Sequence, residues 1–217
     1  MSVSNKSNGH GLRIVNGDIT TDVPSVVLID PITGNPATPQ AIVAGEAHVG
    51  AIGGNKATIP VSITRESNAT PYTAGDVISS AAATVVPAMD FTTAGRVAGG
   101  SGYVVGATLI TNVKSVVPRT RVHLFNVNTA TVSGDNLPWR DLYADSSKRI
   151  GYFDLPAMTT GADSTNSDMS RTAAFDFRLP YICAAASRHI YAVLETLDAV
   201  TLTSGSALTL TLIFEQD

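Results

Sequence analysis

From Ile59 to the C-terminus, apolar and polar positions alternate with a period of two in one short run after another. Successive side chains of a β-strand point to opposite faces, so this period predicts strands with one buried face. IPVSITRE sets Ile59, Val61, Ile63 and Arg65 against Pro60, Ser62, Thr64 and Glu66. HIYAVLET sets Ile190, Ala192 and Leu194 against Tyr191, Val193 and Glu195. The clearest run is ALTLTLIFEQ, with Leu208, Leu210, Leu212 and Phe214 on one face and Thr209, Thr211, Ile213 and Glu215 on the other. Val77-Ile78, IGYFDL (150–155) and FDFRLPYI (175–182) read as further strands. In the last of these Phe175, Phe177 and Leu179 share a face, and Pro180 marks its end or a sheet edge. About eight strands with turn signals between them, and no long amphipathic helix, predict an all-β, jelly-roll-like antiparallel β-sandwich.

The centre of the pattern is GGSGYVVGATLITNVKSVVPRTRVHLFNV, residues 99–127. Tyr103, Val105, Ala107 and Leu109 alternate with Val104, Gly106, Thr108 and Ile110, all largely apolar or small. This predicts an interior strand covered on both faces. In the next strand Val122 and Leu124 face the core, and Arg119, Arg121 and His123 face away. AAATVVPAMDF is ambiguous, Ala-rich but broken by Pro87. Trp139–Tyr143 is expected to make one helical turn, and TTGADSTNSDMS a polar surface loop.

The first 58 residues differ. LRIV and VVLI are short apolar pieces separated by NGDITTDVPS, in which Asn16-Gly17 is a turn signal. DPITGNPATP is loop chemistry, and the stretch to Thr58 is rich in Gly and Ala. With few core-sized groups, residues 1–58 are expected to form an extended N-terminal arm or small subdomain. Residues 59–217 are expected to form the sandwich.

Composition narrows the classes. Hydrophobic residues are 44% and charged ones 15%, which suits a packed β domain better than disorder. The 14 basic residues are scattered and the formal net charge is -4, against the basic stripe of a nucleic-acid binder. The N-terminal MSVSNKSNGHG lacks a signal peptide's apolar run, and no stretch nears the ~20 apolar residues of a membrane span. The expectation is a soluble protein made in a reducing compartment, with no membrane partner. The single cysteine, Cys183, excludes an intramolecular disulfide and reads as a buried, inert thiol.

The tests for chemistry return no catalytic set. Cys183 and His189 would be the one nucleophile-and-base pair, but nothing around Cys183 is electropositive or turn-like. His10, His48, His123 and His189 are isolated, which argues against zinc. Gly99, Gly100, Gly102 and Gly106 match no phosphate-loop spacing and precede a strand, so they read as turn glycines. Asp163, Asn166 and Asp168 could offer oxygens to calcium, but their spacing departs from known loops. Asp135, Asp141, Asp145 and Asp154 read as exposed loop carboxylates. No catalytic residue, metal or cofactor is expected.

Five blocks carry a resemblance: ITRESNATPYTAGDVIS (63–79), GRVAGGSGYVVGATLIT (95–111), RVHLFN (121–126), DLYADSSKRIGYFDLPA (141–157) and IYAVLETLDAVTLTSGSALTL (190–210). Together they resemble small virion-associated proteins of tailed bacteriophages, some assigned as capsid decoration (cement) proteins. The resemblance covers roughly residues 59–217. It implies a β-rich, commonly trimeric protein, made in the host cytoplasm, that binds the capsid surface of the virion with the major capsid protein as partner. On that footing Leu12, Ile14, Val15, Val26, Val27 and Ile29 are the expected capsid-binding residues. Thr209, Thr211 and Ile213 are the expected self-association residues, because Ile213 makes their face too apolar for open solvent. The rival reading is a tail or fibre component with a carbohydrate- or receptor-binding sandwich, for which Trp139, Tyr72 and Tyr143 are the candidate aromatics.

Overall fold

The computed structural model describes residues 10–15, 18–24, 55–65, 70–80, 88–128, 133–160 and 168–217. The chain divides into two compact units, residues 1–50 and 51–217. In the first, β1 (His10–Val15) pairs antiparallel with β2 (Asp18–Pro24), and Val15 lies opposite Asp18. The second strand is therefore DITTDVP, within the segment read above as a link. Leu12, Ile14 and Val15 lie on β1, while Val26, Val27 and Ile29 lie outside the described residues.

The second unit is an antiparallel β-sandwich. Its strands are β3 (Asn55–Thr64), β4 (Val77–Ile78), β5 (Met89–Phe91), β6 (Ser101–Thr111), β7 (Thr120–Phe125), β8 (Arg149–Leu155), β9 (Thr159–Thr160), β10 (Ser170–Ala174), β11 (Leu179–Ile182), β12 (Ile190–Thr196) and β13 (Ala207–Gln216). One sheet runs β3-β13-β6-β10-β9, with β11 also on β6; the other runs β4-β12-β7-β8, with β5 also on β12. β4 and β5 both pair with β12, and β10 and β11 both pair with β6, so each couple counts as one arm. With the two-residue β9 set aside, the described strands of this unit make eight arms, and the sheets read 1-8-3-6 and 2-7-4-5. Arm 1 pairs with 8, 2 with 7, 3 with 6 and 4 with 5, which is an antiparallel ribbon rolled on itself. That is the jelly roll.

The last strand supplies the inner face, as its alternation predicts. Leu208, Leu210, Leu212 and Phe214 are all buried, together with Val104, Ala107 and Leu109 of β6. Opposite them lie Ile78, Met89, Phe91, Val122, Leu124, Leu155, Ile190, Ala192 and Leu194. Phe214 stands 5.9 Å from Phe91 and 5.5 Å edge-on from Tyr181, the favoured aromatic geometries. β3 begins at Asn55 because β13 continues to Gln216 and pairs back to it, with Asn55 Nδ2 donating to Gln216 Oε1 at 2.9 Å.

Three local expectations fail, each for a packing reason. In β6 the faces switch partway: Ile213 pairs with Gly106 but Phe214 with Val104, so Val105 is an extra residue in a bulge. Val104, Ala107 and Leu109 consequently share the core, and the outward side chains are half-exposed rather than covered. Of the strand expected at 175–182 only Leu179–Ile182 forms, and a further strand, Ser170–Ala174, precedes it on β6. Across the intervening bend Phe177 stacks on Phe153 at 4.5 Å, while Phe175 turns outward. The helical turn is a 3-10 helix at Tyr143–Lys148, and Trp139 precedes it in extended chain. The Trp139 N–H donates to Gly75 O at 2.7 Å, beside the Asp76–Pro138 bridge, which holds this stretch against the neighbouring segment.

The glycines before and within β6 serve the turn and the sheet. Gly99 has φ +71°, in the left-handed region. A Cβ on Gly102 would lie 2.2 Å from Glu215 O, so only glycine lets β6 approach β13 there.

Candidate interaction surface

The outward face of the β3-β13-β6-β10 sheet is laid out by register. Ser62, Thr209, Ile110 and Arg171 form one cross-strand row, and Pro60, Thr211, Thr108 and Ala173 the next. Thr58, Ile213 and Gly106 form a third. The exposed ring of Phe175 lies on this last row, since a Cβ on Gly106 would meet it at 2.8 Å and Ile213 at 3.2 Å. Thr209, Thr211 and Ile213 are thus brought together, half-buried, on the middle of the face. Ser62 and Thr209 hydroxyls bond each other at 2.7 Å, satisfying two polar groups across the strands.

The three rows hold one charge, Arg171, at their edge. It borders a shallow groove of about 340 Å³ lined by Thr108, Ile110, Thr159, Thr172 and Ala173. Beyond the third row the charges are paired: Glu215 lies opposite Lys56 and 3.2 Å from Arg178, whose guanidinium sits 3.8 Å over the Tyr103 ring. The face is therefore flat, nearly neutral and rich in threonine, with Ile110, Ile213 and Phe175 as its apolar points.

The chemistry candidates are engaged with other partners. Cys183 is buried and burial raises its thiol pKa, so little of the reactive thiolate forms near neutrality. His189 Nδ1 instead pairs with Asp90 at 2.8 Å. In the folded protein, Cys183 is expected to resist a thiol-alkylating reagent at pH 7.5 and to react at once in denaturant; rapid labelling of native protein would contradict the burial. Each of the four carboxylates has its own cation: Asp141 with Arg149, Asp145 with Lys148, Asp154 with Arg121, and Asp135 with Arg65. Asp135 and Asp145 are buried, contrary to the exposed loops expected, because those cations and nearby donors compensate them. Asp154 is held below the usual carboxylate range by the Arg121 hydrogen bond, and Asp198 is pulled to about 2 by Arg119. Asp163 and Asn166 lie outside the described residues. Among the described residues no three His, Cys, Asp or Glu side chains gather as a metal-holding group, and no helix is long and apolar enough to cross a membrane.

Two polar clusters escaped the pattern reading. In the first, Arg65 has its guanidinium 4.4 Å over the Tyr72 ring and donates from Nη2 to Thr70 O at 2.6 Å and from Nη1 to Leu202 O. Asp135 lies 3.7 Å from Arg65 Nε and accepts from Tyr72 Oη at 2.7 Å and Ser79 N at 2.8 Å. Burial, reinforced by Asp135, drives the Tyr72 pKa far up. The signal was Arg65 on the apolar face of IPVSITRE. In the second cluster, His123 is buried on the outer side of the other sheet, beneath Trp139 at 3.9 Å and 11°. Its Nε2 lies 2.7 Å from Glu195 Oε2 and its Nδ1 3.2 Å from Arg149 Nη2. Burial lowers its pKa against the pull of Glu195, with Arg149 and Arg121 adding to the lowering. Around it Val77, Ala88, Phe125 and Val193 make a small apolar cluster that Trp139 and Tyr191 cover. The outer side of this sheet is therefore not simply polar.

No protein-family model matches the chain, and no curated protein matches it. Solved structures do. A chain of the cyanophage Pam1 capsid asymmetric unit is 16% identical with a TM-score of 0.29, over 82% of this chain and 96% of that one. A chain of the heated full particle of Israeli acute paralysis virus is 10% identical, TM-score 0.31, over 100% and 93%. A chain of black queen cell virus is 13% identical, TM-score 0.28, over 100% and 91%. At this overlap they add no detail to the strand pairing given above.

Proposed function

We propose that this chain is a structural virion protein that acts by adhesion: it binds the outside of a phage capsid and braces neighbouring capsid subunits. The observation that carries the reading is the neutral, threonine-rich face of the β3-β13-β6-β10 sheet, a surface suited to contact rather than catalysis. The sequence blocks that resemble capsid decoration proteins fall on this same unit. A jelly roll alone would not decide it, since the fold hosts unrelated functions.

In this reading Thr209, Thr211 and Ile213 join copies of the chain about a threefold axis, while residues 1–58 reach the major capsid protein through Leu12, Ile14, Val15, Val26, Val27 and Ile29. Three rows on four strands span roughly 300–400 Å², about half the ~800 Å² per partner of a standard interface. The face is then the centre of a larger contact, to which exposed Phe175 adds.

The tail or fibre alternative gains nothing from its aromatics. Tyr72 is 1% exposed and Trp139 lies on His123, leaving Tyr143 as the exposed one of the three.

The experiment is a pair of variants with particle imaging. Light scattering of the full chain should give a trimer, and Ile213→Asp should give a monomer with unchanged strand content. Deleting residues 1–50, the unit ahead of β3, should abolish capsid binding and keep the trimer. Cryo-electron microscopy of the particle should place the protein on the head. A monomeric full chain, a truncated form that still decorates heads, or density on the tail alone would each overturn this division of labour.

A further inference from the structure

Two exposed features of the outward face of the β3-β13-β6-β10 sheet have no counterpart within the chain, and each supplies what the other lacks. The first is Arg171 with the groove of about 340 Å³ beside it. Ile110 and Ala173 are the apolar lining of the groove, and Thr108 and Thr159 bring hydroxyls; the Thr172 hydroxyl donates away, to Pro156 O at 2.8 Å. Arg171 is exposed, and among the described residues no carboxylate pairs with it.

The second feature lies farther along, where β10 ends at Ala174 and the chain bends. Phe175 is 55% exposed, its ring beside Gly106 and Ile213, and the next residue, Asp176, is exposed too. Among the described residues Asp176 has no cation, since the nearby Arg178 pairs with Glu215 at 3.2 Å. β10 is held extended by its ladder to β6, so roughly 14 Å of strand keeps Phe175 away from Arg171 within one copy.

A second copy brings the two together. A cavity of about 150 Å³ is enough for benzene, so the groove has room for a phenyl ring against Ile110 and Ala173. The guanidinium at its border matches a carboxylate, which it can hold in a bidentate pair. Phe175 and Asp176 present that ring and that carboxylate in adjacent positions. Knob and groove are different patches of one face, so each copy gives one and receives one, a contact that can repeat around a closed ring. It also adds area where area is short, because the three rows supply about half of the ~800 Å² per partner of a standard interface.

We propose, on the self-association reading given above, that Phe175 and Asp176 of one copy seat in the groove of the next, with Asp176 paired to Arg171. This contact sets the register of the trimer.

Sedimentation equilibrium of the full chain over a range of concentrations gives the midpoint at which the trimer dissociates. Arg171→Asp should raise that midpoint at least about tenfold, because it sets two carboxylates against each other, and Asp176→Arg should do the same with two cations. The double change Arg171→Asp with Asp176→Arg should return it to within about threefold of the natural chain, a rescue that a purely local role for either residue would not give. Asp168→Arg, at another exposed carboxylate without a cation among the described residues, should leave it in place. Far-UV circular dichroism should be the same for all four. A natural chain that is monomeric throughout sinks the self-association reading and this contact with it. A trimer indifferent to both single changes, or a double change without recovery, overturns this contact alone. Loss of head binding with the trimer unchanged would give the groove to a capsid partner, and overturns it as well. Should a charge variant fail to fold, Phe175→Ser decides: it should loosen the trimer, and one as tight as the natural chain's rules the contact out.

Discussion

Replacing Arg65 by methionine is expected to destabilise the sandwich by about 3–5 kcal/mol, the range for removing one partner of a buried charge pair. The side chains of Arg65 and Asp135 are both fully buried, 3.7 Å apart. Methionine fills much of the arginine stem's volume, so the loss is mainly electrostatic and not a cavity. It leaves the Asp135 carboxylate in the interior with Tyr72 Oη and Ser79 N as donors and no cation. It also removes the guanidinium bonds to Thr70 O and Leu202 O, which tie the end of β3 to the chain before β4 and before β13. Urea unfolding should show the midpoint fall with the slope unchanged. The double change Arg65→Met with Asp135→Leu should recover part of the loss, because no buried charge then remains. A single-variant cost below about 1 kcal/mol would mean that the pair is solvated or replaceable.

Phe214→Ala is the second large effect, also about 3–5 kcal/mol, from lost apolar burial and the cavity left between two sheets that cannot collapse onto it. Its ring is fully buried and stands against both Phe91 and Tyr181, so both aromatic contacts go at once. Its chain neighbour on the outer face, Ile213, makes the comparison sharp. In the monomer Ile213→Thr is expected to cost under about 1 kcal/mol, since that side chain is only half-buried. Thermal unfolding of the two variants should therefore differ widely although the positions are adjacent. Equal losses would mean that the alternation of β13 does not sort core from surface.

How much of this was legible in the chain depended on the range of the interaction. β13 could be read directly, because a period of two is a local property and its burial follows it, whereas in β12 the strand was legible but Val193 and Glu195 of its other face are buried too. β6 was misread at Val105, since a bulge is a property of the pairing and leaves no mark in one strand's own alternation. The strand expected at 175–182 failed similarly: which of Phe175 and Phe177 turns inward depends on Phe153, distant in sequence. Of the outward face of the β3-β13-β6-β10 sheet, Thr209, Thr211 and Ile213 were visible as a stripe. The rows that complete it, from Ser62 and Pro60 to Arg171 and Ala173, exist only through strand register.

Taken alone, the sequence determined most of the strands, the buried face of β13 and the two-sheet closure, because alternation and turn chemistry act over a few residues. Only the tertiary structure decided which polar groups are inside. Arg65 and Asp135 stand 70 positions apart, and His123 and Glu195 stand 72 apart. A charge can be buried only where a partner is delivered to it, and delivery is the work of the jelly-roll pairing.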